Sequence, residues 1–157
     1  MSSYSNKKVI YAPCDGEIIK LEDVSDEVFS SGVMGDGFAI LPSSKKFYSP
    51  ATGKIENVYK TGHAYTILTE DGLDVLVHLG IDTVELDGKY FEKKVTAGEA
   101  IRQGELLAIA DVEKIMEEGF DPVCVVVVSN PEKMHNIEIN YGQCYAKDEA
   151  MSYLQMN

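Results

Sequence analysis

The sequence predicts an all-β fold, an antiparallel β-sandwich or barrel-sandwich with an internally duplicated hairpin motif and a few short helical turns. Glycine and proline recur at short intervals, and between them apolar residues alternate over pieces of four to eight positions, the pattern of half-buried strands. Two segments, I-Y-A-P-C-D-G-E-I at Ile10 to Ile18 and F-Y-S-P-A-T-G-K-I at Phe47 to Ile55, share Tyr, Pro, Gly and Ile in register, 37 residues apart. Windows with helical periodicity are few.

The elements follow in chain order. In each copy of the repeat a Pro-x-x-Gly joins two strand-like pieces; proline fixes φ and glycine tolerates φ > 0, as a tight turn requires. Asp23 to Ser31 has room for a few helical turns. Gly35-Asp36-Gly37 reads as a strand-linking turn. Thr61 to Ile67 and Leu73 to His78 read as consecutive strands joined by Thr69-Glu70-Asp71-Gly72. A turn centred on Glu70 and Asp71 sets His63 opposite His78, with Cβ atoms about 4.5 to 5.5 Å apart on one face. Val95 to Ala110 repeats the turn-strand rhythm without the proline. Asp111 to Gly119 is helical, with an acidic first turn and a terminal glycine. Val123 to Val128, apolar without alternation, is a central strand covered on both faces. The tail from Asp148 to Met156 also admits a helix.

Length matches one domain over residues 1–157, with residues 1–8 flexible. The longest apolar run, Val123 to Val128, is too short to cross a bilayer, so a soluble protein without direct membrane insertion is expected. No apolar segment follows Lys7 and Lys8, so no secretory signal is visible. Cys14, Cys124 and Cys144 are odd in number and lack C-x-x-C spacing, which fits reduced, buried thiols rather than a disulfide framework. A net charge of −12 repels a phosphate backbone and excludes nucleic acid as the expected partner, while it favours encounter with a basic protein surface.

His63 and His78 each interrupt an apolar run. Imidazole, with an ordinary pKa of about 6.5, is substantially neutral and nucleophilic near neutral pH. Three readings of the pair stay open. Both could be core histidines satisfied by backbone carbonyls. They could serve a zinc-dependent hydrolase, although catalytic zinc usually takes three protein ligands and neither H-x-H nor H-E-x-x-H is present. Or one imidazole could carry a phosphoryl group covalently while the other donates a hydrogen bond to its oxygens. That chemistry needs no nucleotide loop, and neither G-x-x-x-x-G-K-[ST] nor G-x-G-x-x-G occurs. Serine or cysteine nucleophile signatures are also absent. His135, in the polar P-E-K-M-H-N, reads as a surface residue.

The segments A-P-C-D-G-E-I, V-M-G-D-G-F-A-I, S-P-A-T-G-K-I, T-G-H-A-Y-T-I, V-H-L-G-I-D-T-V-E-L-D-G and V-T-A-G-E-A-I-R-Q-G-E resemble, in order and spacing, the glucose-type IIA component of the bacterial phosphoenolpyruvate-dependent sugar phosphotransferase system. The resemblance covers Lys8 to Asn130. It implies an antiparallel β-sandwich and a cytoplasmic phosphocarrier that takes a phosphoryl group from HPr and passes it to the IIB domain of a sugar permease. It further implies that His78 is phosphorylated on Nε2 with Nδ1 held by the carbonyl of Gly80, and that His63 is the second active-site histidine, hydrogen-bonded to Thr61. The partner-binding patch it implies comprises Val28, Phe29, Met34, Tyr59, Leu76 and Val84, with Asp26 and Asp82 among its acids. No cofactor is required; a zinc ion shared at a partner interface through His63 and His78 is the metal site the resemblance admits. Gly62 stands where some members carry a larger polar residue, which would loosen the loop holding His63. The tail beyond Asn140 matches poorly. A biotinyl or lipoyl carrier domain is the rival from another class, suggested by the rhythm of Val95 to Leu107, but no lysine occupies a hairpin tip in an M-K-M or D-K-[AV] setting.

Overall fold

A computed structural model describes residues 6–156. Its strands are β1 (Lys8–Tyr11), β2 (Gly16–Lys20), β3 (Asp36–Pro42), β4 (Lys46–Tyr48), β5 (Gly53–Val58), β6 (Ala64–Thr69) and β7 (Asp74–Leu79). They continue as β8 (Phe91–Lys93), β9 (Ala100–Ile101), β10 (Leu106–Ala110), β11 (Cys124–Val128), β12 (His135–Ile139), β13 (Gly142–Cys144) and β14 (Glu149–Leu154). One sheet of eight runs β13-β2-β3-β11-β7-β6-β5-β9, and two sheets of three run β1-β14-β12 and β4-β10-β8. The strand pairs are antiparallel, and the expected β-sandwich is what the chain forms. The flexibility expected of residues 1–8 falls, through residue 5, outside the described residues, and Lys8 is already paired with Tyr153 in β1.

The unbroken apolar run lies in the middle of the eight-stranded sheet, where β11 is flanked by β3 and β7. Cys124, Val126 and Val128 face the larger core, with Phe38, Ile67 and Leu107, whereas Val125 and Val127 face a smaller one with Leu21, Phe29 and Leu76. A strand with a core on each side has no solvated face, so alternation is lost.

The duplicated segments are not hairpins. β1 pairs with β14 and β2 with β3, while β4 pairs with β10 and β5 with β6. Each copy is an arch whose turn carries the chain from a small sheet into the large one. The arches grip each other reciprocally: the Tyr11 amide donates to the Pro50 carbonyl at 2.9 Å, and the Tyr48 amide donates to the Pro13 carbonyl at 2.7 Å. A Cβ on Gly16 would sit 2.1 Å from the Leu41 carbonyl oxygen, and one on Gly53 would sit 2.1 Å from that of Leu68. Both glycines are therefore set by close approach of a neighbouring strand.

The tail is strand, not helix. Ala150, Met151 and Tyr153 are buried, and pairing with both β1 and β12 satisfies the backbone on each side of β14. Here tertiary pairing overrides local propensity. The other helical windows are observed as a 3₁₀ turn at Leu21–Asp23, α1 (Glu27–Ser30) and α2 (Val112–Glu117). Asp111 caps α2 by accepting the Lys114 amide at 3.2 Å, and Gly119 closes it at φ +92°. Gly35 lies in the turn before β3, but Asp36 and Gly37 belong to the strand. The cysteines are buried and free, and His135 is half-buried in β12 rather than at the surface. Among the described residues no helix is long and apolar enough to cross a membrane.

Candidate active site

The histidines come together on the small-core face of the large sheet. The observed register sets His78 opposite Ala64 rather than His63, one residue away from the expected pairing. The cause is the turn. Three residues, Glu70, Asp71 and Gly72, separate the ends of the ladder, the Thr69 amide bonding to the Leu73 carbonyl at 3.0 Å, and Gly72 supplies φ +85°. His63 therefore precedes β6 and is not bound by its alternation. Its carbonyl still accepts the Leu79 amide at 2.6 Å, and the two rings meet edge to face with centroids 5.0 Å apart.

Each ring is fixed through Nδ1. The His78 Nδ1–H donates to the Gly80 carbonyl at 2.7 Å. A carbonyl only accepts, so in the neutral ring the proton lies on Nδ1 and Nε2 carries a bare lone pair. His63 Nδ1 is hydrogen-bonded to the Thr61 hydroxyl. Phe29 lies tilted against the His78 ring, with centroids 5.0 Å apart, and Tyr59 meets that of His63 edge to face at 5.4 Å.

The Gly80 carbonyl has little freedom. The Gly80 amide donates to Val123 at 2.8 Å and the Ile81 amide to Asp121 at 2.9 Å. Gly80 has φ +86°, and a Cβ there would meet Thr83 Cγ2 at 2.4 Å. Thr83, fully buried, donates its hydroxyl to the Leu79 carbonyl at 2.6 Å. Thr83 and Asp121 were not singled out by sequence reasoning; the only signal was the threonine five positions after His78. Gly62 takes φ +75°, and its Cβ position meets Lys93 Cγ at 3.1 Å and Phe91 Cβ at 3.2 Å, so glycine belongs to this turn rather than loosening it.

Burial, followed by the neighbouring His78, pushes the His63 imidazolium down to about 4. Burial also lowers that of His78, opposed by the Gly80 carbonyl and by the carboxylates of Asp26 and Asp82. Both rings are thus neutral near pH 7. Asp26 caps α1 by accepting the Val28 amide at 2.8 Å, and Asp82 precedes the 3₁₀ turn Thr83–Leu86 in a left-handed conformation. Val28, Met34, Tyr59 and Val84 are exposed, at 49%, 39%, 47% and 53%. Phe29 and Leu76 are nearly covered and lie beneath them in the small core.

The sequence matches the model of the phosphoenolpyruvate-dependent sugar phosphotransferase system EIIA 1 family over residues 8–134. The chain belongs to that family. This EIIA chain is 41% identical over 140 residues to the glucose-specific EIIA component of Staphylococcus epidermidis, covering 89% of this chain and 84% of that protein. It is 40% identical to the beta-glucoside-specific EIIBCA component of Dickeya chrysanthemi, over 83% of this chain and 21% of that longer protein. The solved glucose permease IIA from Mycoplasma capricolum superimposes with a TM-score of 0.88 at 34% identity, covering 94% of this chain and 96% of that one.

The EIIA chain is accordingly a phosphotransferase component of a sugar transport system, a phosphocarrier that serves a IIB domain. Neither the zinc hydrolase nor the biotinyl or lipoyl carrier finds support. Among the described residues no group of three or more His, Cys, Asp or Glu side chains is arranged to hold a metal ion.

Proposed function

We propose that His78 carries the phosphoryl group, taking it from the phosphohistidine of HPr and giving it to a IIB domain of a sugar permease in the cytoplasm, with residues 1–157 acting as one domain. The observation that carries this reading is the Nδ1–H bond to Gly80, which leaves the Nε2 lone pair of His78 free, with the centre of the second imidazole 5.0 Å from that of the first. That lone pair attacks phosphorus, the N–P bond to the donor breaks and its electron pair returns to the donor nitrogen. The proton of His78 stays on Nδ1, still donated to the Gly80 carbonyl. Low imidazolium pKa keeps both rings neutral without a general base.

His63 is the stabilising group. With Thr61 donating to Nδ1, the His63 Nε2–H points toward the phosphoryl oxygens and favours the transferring state. Val28, Met34, Tyr59 and Val84, over Phe29 and Leu76, form the apolar surface that excludes water once a partner docks, and Asp26 and Asp82 face its basic residues. The carrier needs no cofactor, because the phosphoryl group is held covalently. Two imidazoles are fewer ligands than zinc usually takes, so zinc shared at an interface through His63 and His78 requires another ligand from the partner.

Intact mass after incubation with phosphoenolpyruvate, Enzyme I and HPr tests the reading. One acid-labile phosphoryl adduct, lost in His78→Ala, is expected. An undiminished adduct in that variant overturns the assignment to His78.

A further inference from the structure

On the β4 side of the molecule the EIIA chain gathers positive charge against its overall balance. Lys45, Lys46 and Lys147 line a hollow of about 490 Å³ with Ser44, Tyr48 and Asp15. The chain holds 14 Lys and Arg against 26 Asp and Glu, so three cations around one concavity run against the overall charge.

Two of the lysines are held. Lys147 has φ +76°, a left-handed backbone that costs a non-glycine residue about 1 kcal/mol or more. Its loop is tied at successive amides: Tyr145 donates to Asp148 Oδ2 at 2.8 Å, Ala146 to Asp15 Oδ1 at 2.7 Å and Lys147 to the Ala12 carbonyl at 2.8 Å. The Lys147 stem runs along Gly104, its Cδ lying 3.5 Å from where a Cβ would be, and the ammonium rests 4.6 Å from the centre of the Tyr48 ring. Lys45 is steadied by Asp111 at 3.6 Å, the carboxylate that also caps α2. Ser44 accepts the Asp15 amide at 3.3 Å, which leaves its O–H to donate. Asp15 is the opposing charge in the hollow, and one of its oxygens is engaged by the Ala146 amide.

We propose that this hollow binds a phosphate dianion, free or carried as the ester of a small metabolite, at a site separate from the histidines and across the larger core from them. Lysines act as adjustable point charges on phosphate, and the Ser44 hydroxyl adds a donor. Strain at Lys147 fits the assignment: glycine would adopt that φ without the steric penalty, so a lysine there carries its charge at the expense of backbone strain.

The experiment is a chemical-shift titration of the isotope-labelled chain with inorganic phosphate and, separately, with glucose 6-phosphate, at constant ionic strength in chloride. Saturable shifts confined to Ser44 to Tyr48 and Ala146 to Lys147 are expected. A tighter isotherm for the ester assigns the site to a metabolite; an equal or weaker one assigns it to free phosphate. Lys147→Gly should weaken binding at least several-fold while raising the unfolding midpoint, and Lys46→Ala should weaken it with the fold unchanged. Shifts that rise linearly without saturation, or isotherms that both variants leave unchanged, overturn the proposal.

Discussion

In the proposed mechanism, phosphoryl transfer depends at the residue scale on one proton being in one place. His78→Ala removes the proposed acceptor nitrogen and should abolish the phosphoryl adduct. His63→Gln should still accept phosphate from HPr but pass it to IIB at least tenfold more slowly, read as single-turnover transfer from the phosphorylated variant. Gly80→Ala tests the carbonyl that fixes the His78 tautomer. A Cβ 2.4 Å from Thr83 Cγ2, at φ +86°, forces the turn to move. A loss of about 2 kcal/mol or more in urea denaturation is expected, together with slowed phosphorylation; stability lost with phosphorylation intact would show that the carbonyl is not needed.

At the scale of elements, α1 brings an acid to the site through its own cap. Asp26→Asn keeps a good N-cap and removes the charge, whereas Asp26→Ala removes both and should cost about 1 kcal/mol. Both variants should take phosphate from HPr more slowly, and only the alanine should lower the unfolding midpoint. The same scale marks how far the sequence could be read. The buried strand at β11, the helix capped by Asp111 and the strand-rich pattern were legible, because burial and capping write themselves into local composition. The pairing of His78 with Ala64 rather than His63 was not, because a three-residue turn and a two-residue turn differ only in how Gly72 is used, and that shift moves the whole ladder by one position. The tail was misread as helix because its fate is decided by tertiary pairing, with β12 on one side and, far away in sequence, β1 on the other. The hairpin reading of the repeat failed for the same reason: nothing within an arch reveals that its two strands enter different sheets.

Charge and burial act on the whole molecule. With a net charge of −12, the chain should be steered toward a basic HPr surface, so second-order transfer should slow as salt shortens the Debye length from about 10 Å at 0.1 M. A rate indifferent to salt would remove steering from the account. The buried histidines make stability depend on pH. His63 titrates near 6.5 unfolded but about 4 folded, so between those values the unfolded chain binds more protons. Stability is therefore full above about pH 6.5 and falls as pH drops toward 4, by up to about 1.4 kcal/mol per pH unit, with His78 acting in the same direction. Urea midpoints at pH 7 and pH 5 should show the decline, and His63→Gln should flatten it.

The reciprocal grip of the two arches bears on how the chain acquires its shape. Tyr11 finds its acceptor at Pro50 and Tyr48 finds its acceptor at Pro13, so neither turn is finished until the other has formed. β1 waits longer still, for β14, whose Tyr153 pairs with Lys8. β1 must therefore stay unpaired until β14 has been made, and folding governed by such distant closures belongs to the millisecond-to-second regime rather than to the faster one of local structure.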